Sequence, residues 1–405
     1  MTFSFNILAL TFLSLLTTTA ITSSTTTIGV TYKPSSSPNL PTPEHVASTL
    51  QSLHIPAVHL LHPTPASIRA FAYSNISLLL TIPNSFISSF AANRSSSTDW
   101  LYNHVLPFYP RARISLISVG NDVVSSSELD PTNSDPSTVL LPAMRNLNLS
   151  LGDLGIKNIR VSTTFSFIKV MEQLFPPSTA GFLEPIDKVI IKPVLQFLDD
   201  NNSSFLIDVV PYDVYKLHSE IPIGFALFQE NPFNFRDDGN TAVRYRNLFD
   251  MMVDGVVASL ANSGHQNIRI IVTRTGWPSS SSISGYVEAE ASQLFAEMYL
   301  KGLIAHMKSG MGTPLRKDGV AEVYIYELFD EEDDNNPNSS SSVMSARNGS
   351  RSDKTGEHQW GILYPNMTMK FDLDFSGSEK ASGIKFAGWV GLFLWIFGEI
   401  VFWLL

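Results

Sequence analysis

Short runs of β-branched and other apolar residues recur along the chain, separated by longer stretches in which apolar positions return every three or four residues. The short runs predict strands at Ile28–Tyr32, Ala57–Leu61, Ile76–Ile82, Ile114–Gly120, Ile159–Phe165, Phe205–Val210, Ile268–Thr273 and Glu322–Phe329. The longer stretches predict helices, among them Pro43–Leu53, which opens with Pro and Glu in its first turn, Val139–Leu151, Arg244–Ala261 and Val287–Met307. Eight strands alternating with helices over about 340 residues is the count and size of a (β/α)8 TIM barrel with some insertions. An open doubly wound sheet shares the alternation. It calls for a Gly-rich phosphate loop after the first strand, and Tyr32-Lys33-Pro34-Ser35 is a poor pyrophosphate cradle.

Both ends break the pattern. Residues 1–27 carry no charged side chain, and an apolar run from Ile7 to Leu16 passes into small Thr, Ser and Ala residues, the order of a secretory signal peptide. Phe386–Leu405 is an apolar block with Glu399 as its only charge, long enough to cross a bilayer. It follows Ser376-Gly377-Ser378 and a polar spacer through Lys385, which is the order of a GPI-anchor signal; a retained tail anchor is the alternative. Sequons at Asn75, Asn93, Asn148, Asn201, Asn202, Asn338, Asn348 and Asn366 fit a secreted route. The expected organisation is a signal peptide at 1–27, one barrel at 28–375 and an anchor signal at 376–405. A polar, low-complexity loop near 331–356 begins Glu331-Glu332-Asp333-Asp334-Asn335-Asn336-Pro337. Consecutive carboxylates without spaced ligands read as a solvated segment rather than a cation loop.

Charge and cysteine count narrow the function. The chain has 405 residues, 27 Lys plus Arg against 37 Asp plus Glu, and a net charge of −10 without a basic cluster, which argues against a nucleic-acid partner. Zero cysteine removes thiolate metal sites, iron–sulfur clusters, a thiol nucleophile and disulfides. No metal and no organic cofactor is expected. His59 and His62 are three apart on a strand and so face opposite sides of the sheet, a poor metal pair.

Chemistry in a barrel sits at the C-terminal ends of its strands. Strand four ends Ser118-Val119-Gly120-Asn121-Asp122 and strand seven ends Thr273-Arg274-Thr275-Gly276-Trp277-Pro278. Ile28-Gly29-Val30-Thr31-Tyr32 with Asn39-Leu40-Pro41, Val105-Leu106-Pro107-Phe108-Tyr109, Leu140-Leu141-Pro142-Ala143-Met144, Pro211-Tyr212, Tyr245-Arg246-Asn247-Leu248-Phe249-Asp250 and Trp360-Gly361-Ile362-Leu363-Tyr364-Pro365 accompany them. In this order the motifs resemble the plant glucan endo-1,3-β-glucosidase-like family, glycoside hydrolase family 17. The resemblance implies a retaining glycosidase with glutamates at the ends of strands four and seven.

Both positions depart from that pattern. Asp122 stands at the acid/base position and Arg274 at the nucleophile position. Asp keeps the carboxyl with a shorter reach, and a misplacement of about 1 Å costs on the order of a hundredfold. A guanidinium has no lone pair to offer the anomeric carbon and forms no glycosyl ester. A salt bridge between Asp122 and Arg274 is expected, holding the acid ionised.

The resemblance further implies that Tyr32, Asn121, Tyr212, Trp277, Glu331 and Glu357 line the substrate cleft. Asp208 and Asp213 flank the end of strand six, so an inverting carboxyl pair is an open alternative. Val210 stands where the family has an aromatic residue. The expected function is a catalytically impaired surface protein that binds β-1,3-glucan or a wall partner and meets the membrane through a lipid anchor. An active endo-hydrolase and a structural glycoprotein remain as alternatives.

Overall fold

Eight parallel strands close into a barrel: β1 Thr27–Tyr32, β2 Ala57–Leu61, β3 Ser77–Ile82, β4 Arg113–Asn121, β5 Arg160–Ser166, β6 Ser204–Asp208, β7 Arg269–Thr275 and β8 Glu322–Ile325. Each strand pairs with its chain neighbours, and β8 returns to β1 with Thr27 opposite Glu322. The expected (β/α)8 TIM barrel is the fold. The computed structural model describes residues 26–35, 39–125, 135–229, 231, 233–281, 288–330 and 358–376. The leader, the apolar terminal block and the acidic loop fall outside them. No helix among the described residues is long and apolar enough to cross a membrane.

Side chains alternate across each strand, so one set fills the barrel and the other meets the helices. Ala57, Leu79, Leu116, Leu206, Ile271 and Tyr324 form a separate apolar cluster. Tyr324 is large, and β1 accommodates it with Gly29, where an added Cβ would stand 2.6 Å from the ring and 2.7 Å from the Ala57 carbonyl oxygen. Two residues further along the strands the buried positions are Thr31, His59, Thr81, Ser118 and Thr273. The barrel therefore becomes polar toward its C-terminal mouth.

Helix boundaries follow capping chemistry. Thr42 caps Pro43–Ser52, Asp135 caps Pro136–Asp153, and Ser292 caps Gln293–Ser309, which ends at Gly310 in the left-handed region with φ 65°. Two expectations are corrected. Arg244–Tyr245 does not open a helix; it pairs antiparallel with Arg236–Asp237, and the helix runs Leu248–Asn262 because Asn247 accepts a hydrogen bond from the Asp250 amide. The eighth strand ends at Ile325 rather than Phe329. Beyond it, Tyr326 N–H still donates to Thr275 O, but Leu328 N–H donates to Thr31 O, so the chain crosses toward β1.

Candidate active site

The C-terminal ends of the strands surround a cavity of about 250 Å³ whose wall includes His59, Asn121, Asp122, Asp208, Asp213, Thr273, Arg274 and Tyr326. The end of β4 is shaped by Gly120 at φ 80° and Asp122 at φ 46°. Asn84 clamps the residue between them: its Oδ1 accepts from Asn121 N–H at 2.8 Å and its Nδ2 donates to Asn121 O at 2.9 Å. The Asp122 amide in turn donates to Thr164 O. This fixed backbone presents the Asp122 carboxyl to the cavity.

At the end of β7 the pairing with β6 shifts by one residue, from Ile207 opposite Val272 to Asp208 opposite Arg274. Such a bulge re-aims side chains. Thr273 and Arg274, adjacent in sequence, consequently both reach the cavity wall. The Arg274 carbonyl accepts from Val209 N–H at 2.9 Å, which fixes its position. Its guanidinium lies over the Tyr326 ring, 4.2 Å from the centroid, and 5.5 Å from the Trp360 ring. Burial works against the charge, but Tyr326, Asp208, Asp213 and Glu327 together outweigh it and hold Arg274 more firmly protonated than usual.

The expected salt bridge between Asp122 and Arg274 is not among the ion pairs of the described residues. Arg274 Nε is buried without a hydrogen-bond partner, and the rings, rather than Asp122, cover the guanidinium. Carboxylates nearer the β6 and β8 ends supply the countercharge. The correction has a local cause: at the bulge opposite Asp208 the Arg274 guanidinium packs over the Tyr326 ring.

Asp208 is buried, and its Oδ1 accepts from Thr273 Oγ1 at 2.8 Å. Burial pushes its pKa up to about 7 despite Arg274 and Thr273, with Asp122 and Asp213 adding to the rise. His59 is buried beside it, Nδ1 3.1 Å from Thr273 O and Nε2 2.7 Å from Thr81 Oγ1. A carbonyl only accepts, so Nδ1 carries the proton and Nε2 accepts from the threonine hydroxyl. Burial lowers the His59 pKa to about 4, which keeps the ring neutral.

The cleft residues read from the sequence divide into three groups. Asn121, Asp122 and Arg274 meet at the cavity. Tyr32, Tyr212 and Trp277 are buried behind its wall: Tyr32 is edge-on to Phe329, and Trp277, 1% exposed, donates its indole N–H to Glu290 O. Tyr212 donates to Glu288 and packs edge-on against Trp277 and Trp360. These three rings support the cleft from outside the cavity. Glu331 and Glu357 lie outside the described residues. Sequence reading offered Asp208 and Asp213 only toward an open inverting pair and did not single out Thr273, Tyr326 or Glu327. A charged residue closing an otherwise apolar strand, as in Phe205-Leu206-Ile207-Asp208, was the available signal.

Residues 28–375 match the model for glycosyl hydrolases family 17. Glucan endo-1,3-beta-glucosidase 13 of Arabidopsis thaliana is 33% identical over 355 residues, 87% of this chain and 64% of that protein. Glucan endo-1,3-beta-glucosidase 12 of the same plant is 33% identical over 343 residues, 84% of this chain and 59% of that protein. The chain thus spans less than two thirds of the length of these two curated relatives. CJP38, a β-1,3-glucanase and allergen of Cryptomeria japonica pollen, superposes with a TM-score of 0.73 at 30% identity, covering 86% of this chain and 99% of that one. With a closed eight-stranded barrel and a match running from its first strand to Phe375, the chain belongs to glycosyl hydrolases family 17.

Proposed function

We propose that this protein binds β-1,3-glucan in its barrel mouth and has lost the retaining hydrolysis that its relatives' names describe. The observation that carries the reading is Arg274 at the end of β7, its guanidinium held over Tyr326 and kept charged by three carboxylates. A retaining glycosidase needs a carboxylate nucleophile there, roughly 5 Å from its acid. Arg274 has no electron pair for the anomeric carbon. The uncharged leader and the apolar segment 386–405 support a place on the outer face of the plasma membrane, held by a lipid anchor.

A second reading, slow hydrolysis by inversion, is favoured by one feature. Asp208 has its pKa near 7 and shares the cavity with Asp122, so an acid and a base are present in one cleft. Full-length protein is to be assayed on laminarin for retention in an affinity gel and for new reducing ends. Retention without reducing ends is the expected result. Turnover at the rate of an active endo-glucanase, releasing the α-anomer, establishes inversion and overturns the proposal, and retention of anomeric configuration overturns it as well.

A further inference from the structure

Parallel strands bring all their N-terminal ends to the face of the barrel opposite the cavity. There Arg113 opens β4 and Arg160 opens β5, with Lys157 just before it. Arg69 lies in the last turn of the helix Pro65–Ala70, and Tyr73 and Asn75 follow on the way into β3. Hydrogen bonds join these turns. Tyr73 N–H donates to Arg111 O at 2.9 Å, Arg113 Nη1 to Asn75 Oδ1 at 3.4 Å, and the Tyr109 hydroxyl to Asn158 Oδ1 at 2.6 Å. Cations scattered along the sequence are thereby gathered at the base of three neighbouring strands.

Arg69, Arg111, Arg113 and Lys157 are exposed and Arg160 is half-buried, and none of the five has a carboxylate partner among the described residues. Acids are scarce here: from His45 to Asn121 the chain has four Arg against one acid, Asp99. Of those four, Arg94 is the one in an ion pair, with Asp153. Tyr73 is 78% exposed in the same turn, at φ 65°. A chain of net charge −10 therefore carries, remote from its cavity, a surface that is basic and bears an exposed ring.

We propose that this face binds an acidic polysaccharide, one that carries a carboxylate on its sugar rings. A guanidinium is a planar fork that offers a carboxylate two parallel N–H groups, and four of the five cations are Arg. The Tyr73 ring gives a pyranose an apolar face to lie on. A carboxylate-bearing ring uses fork and ring together, whereas a phosphate headgroup uses the forks alone. Asp122, Asp208 and Asp213 at the cavity repel such a polymer, so the two ends of the barrel separate neutral from acidic chains. The choice over nucleic acid rests on the outer-face reading, which puts wall polymers within reach.

The test is affinity electrophoresis of the full-length protein in gels holding polygalacturonate, its methyl ester or laminarin, beside co-sedimentation with phosphatidylserine vesicles and a duplex-DNA shift assay. The variants are Arg69→Gln/Arg111→Gln/Arg113→Gln, Arg69→Lys/Arg111→Lys/Arg113→Lys, and Tyr73→Asn, which removes the ring and keeps a residue that tolerates positive φ. Thermal melts confirm that each folds. Polygalacturonate is expected to retard wild type in a salt-sensitive way, and the methyl ester is not. The triple Gln variant is expected to bind polygalacturonate about tenfold more weakly, with the triple Lys variant between it and wild type. Tyr73→Asn is expected to weaken polygalacturonate alone, and laminarin retention to stay unchanged in every variant. No retardation of wild type by polygalacturonate, or retardation equal in the triple Gln variant, overturns the proposal. Vesicle or DNA binding that falls in the triple Gln variant while polygalacturonate binding holds overturns it in favour of that partner, and the DNA result overturns the outer-face reading as well. Wild type that ignores laminarin but binds polygalacturonate through this face overturns the glucan reading and leaves the present one standing.

Discussion

The guanidinium carbon of Arg274 stands 4.2 Å from the centroid of the Tyr326 ring, so the cation at the end of β7 is packed over an aromatic side chain. A cation over a ring is worth about 0.5–2 kcal/mol, and here the cation also answers Asp208, Asp213 and Glu327. Arg274→Met keeps length and apolar packing but strips the charge. It is expected to lower unfolding free energy by about 3 kcal/mol at pH 8 and by less at pH 5, where Asp208, its pKa pushed up to about 7 by burial, is protonated. Urea unfolding at the two pH values measures the difference.

Restoring carboxylates at both strand ends is the gain-of-function counterpart. The double variant Asp122→Glu/Arg274→Glu is expected to raise kcat/KM on laminarin by at least about a hundredfold over wild type, since a reach error of one methylene alone carries a penalty of that order. Arg274→Glu alone is expected to fall short of the double variant. Initial rates of reducing-end release on equal amounts of folded protein decide the comparison.

His59 and Asp208 give stability opposite dependences on pH. Folded His59 titrates near 4 instead of 6.5, so the unfolded chain takes up the proton first and stability falls by about 3 kcal/mol as pH drops from 6.5 to 4. Folded Asp208 titrates near 7 instead of 3.8, so the native state holds its proton longer and stability falls by about 4 kcal/mol as pH rises from 4 to 7. Asp208→Asn is therefore expected to be more stable than wild type at pH 8 and nearly equal to it at pH 4. His59→Gln, which keeps a donor for Thr273 O and an acceptor for Thr81, is expected to flatten the acid limb. Denaturant midpoints across pH 4 to 8 provide the readout.

Beneath the polar mouth, the close approach of β1 to Tyr324 depends on the missing side chain at position 29. A methyl there would lie 2.6 Å from the ring and 2.7 Å from the Ala57 carbonyl oxygen, and that oxygen is backbone on a paired strand. Gly29→Ala is expected to cost about 2–3 kcal/mol, the range of an overpacked core. The change appears as a fall in Tm of roughly 3–4 °C for a domain of this size.

Much of this molecule could be read from its pattern. The eight strand runs and the two strand ends bearing Asp122 and Arg274 lie where alternation and order place them, because β-branched runs bounded by turns leave few other topologies. The contacts around Arg274 were hidden for a definite reason. Strict alternation puts Thr273 and Arg274 on opposite faces, and only the one-residue shift opposite Asp208 brings both to the cavity. Trp277 and Tyr212 illustrate another limit: a ring near a strand end has the same composition signal whether it faces the cleft or packs behind it. Arg244–Tyr245 was hidden by a helical period that begins three residues later, after the Asn247 cap.

The central claim is that no side chain in this cleft forms a bond to the sugar. Intact-mass analysis after incubation with a 2-deoxy-2-fluoro-laminaribiosyl fluoride, a trap for glycosyl-enzyme esters, tests it directly. Full-length wild type is expected to gain no mass, while Asp122→Glu/Arg274→Glu gains one glycosyl unit at position 274. A stoichiometric adduct on wild type, at Asp122, Asp208 or any other carboxylate of the cavity, contradicts the account.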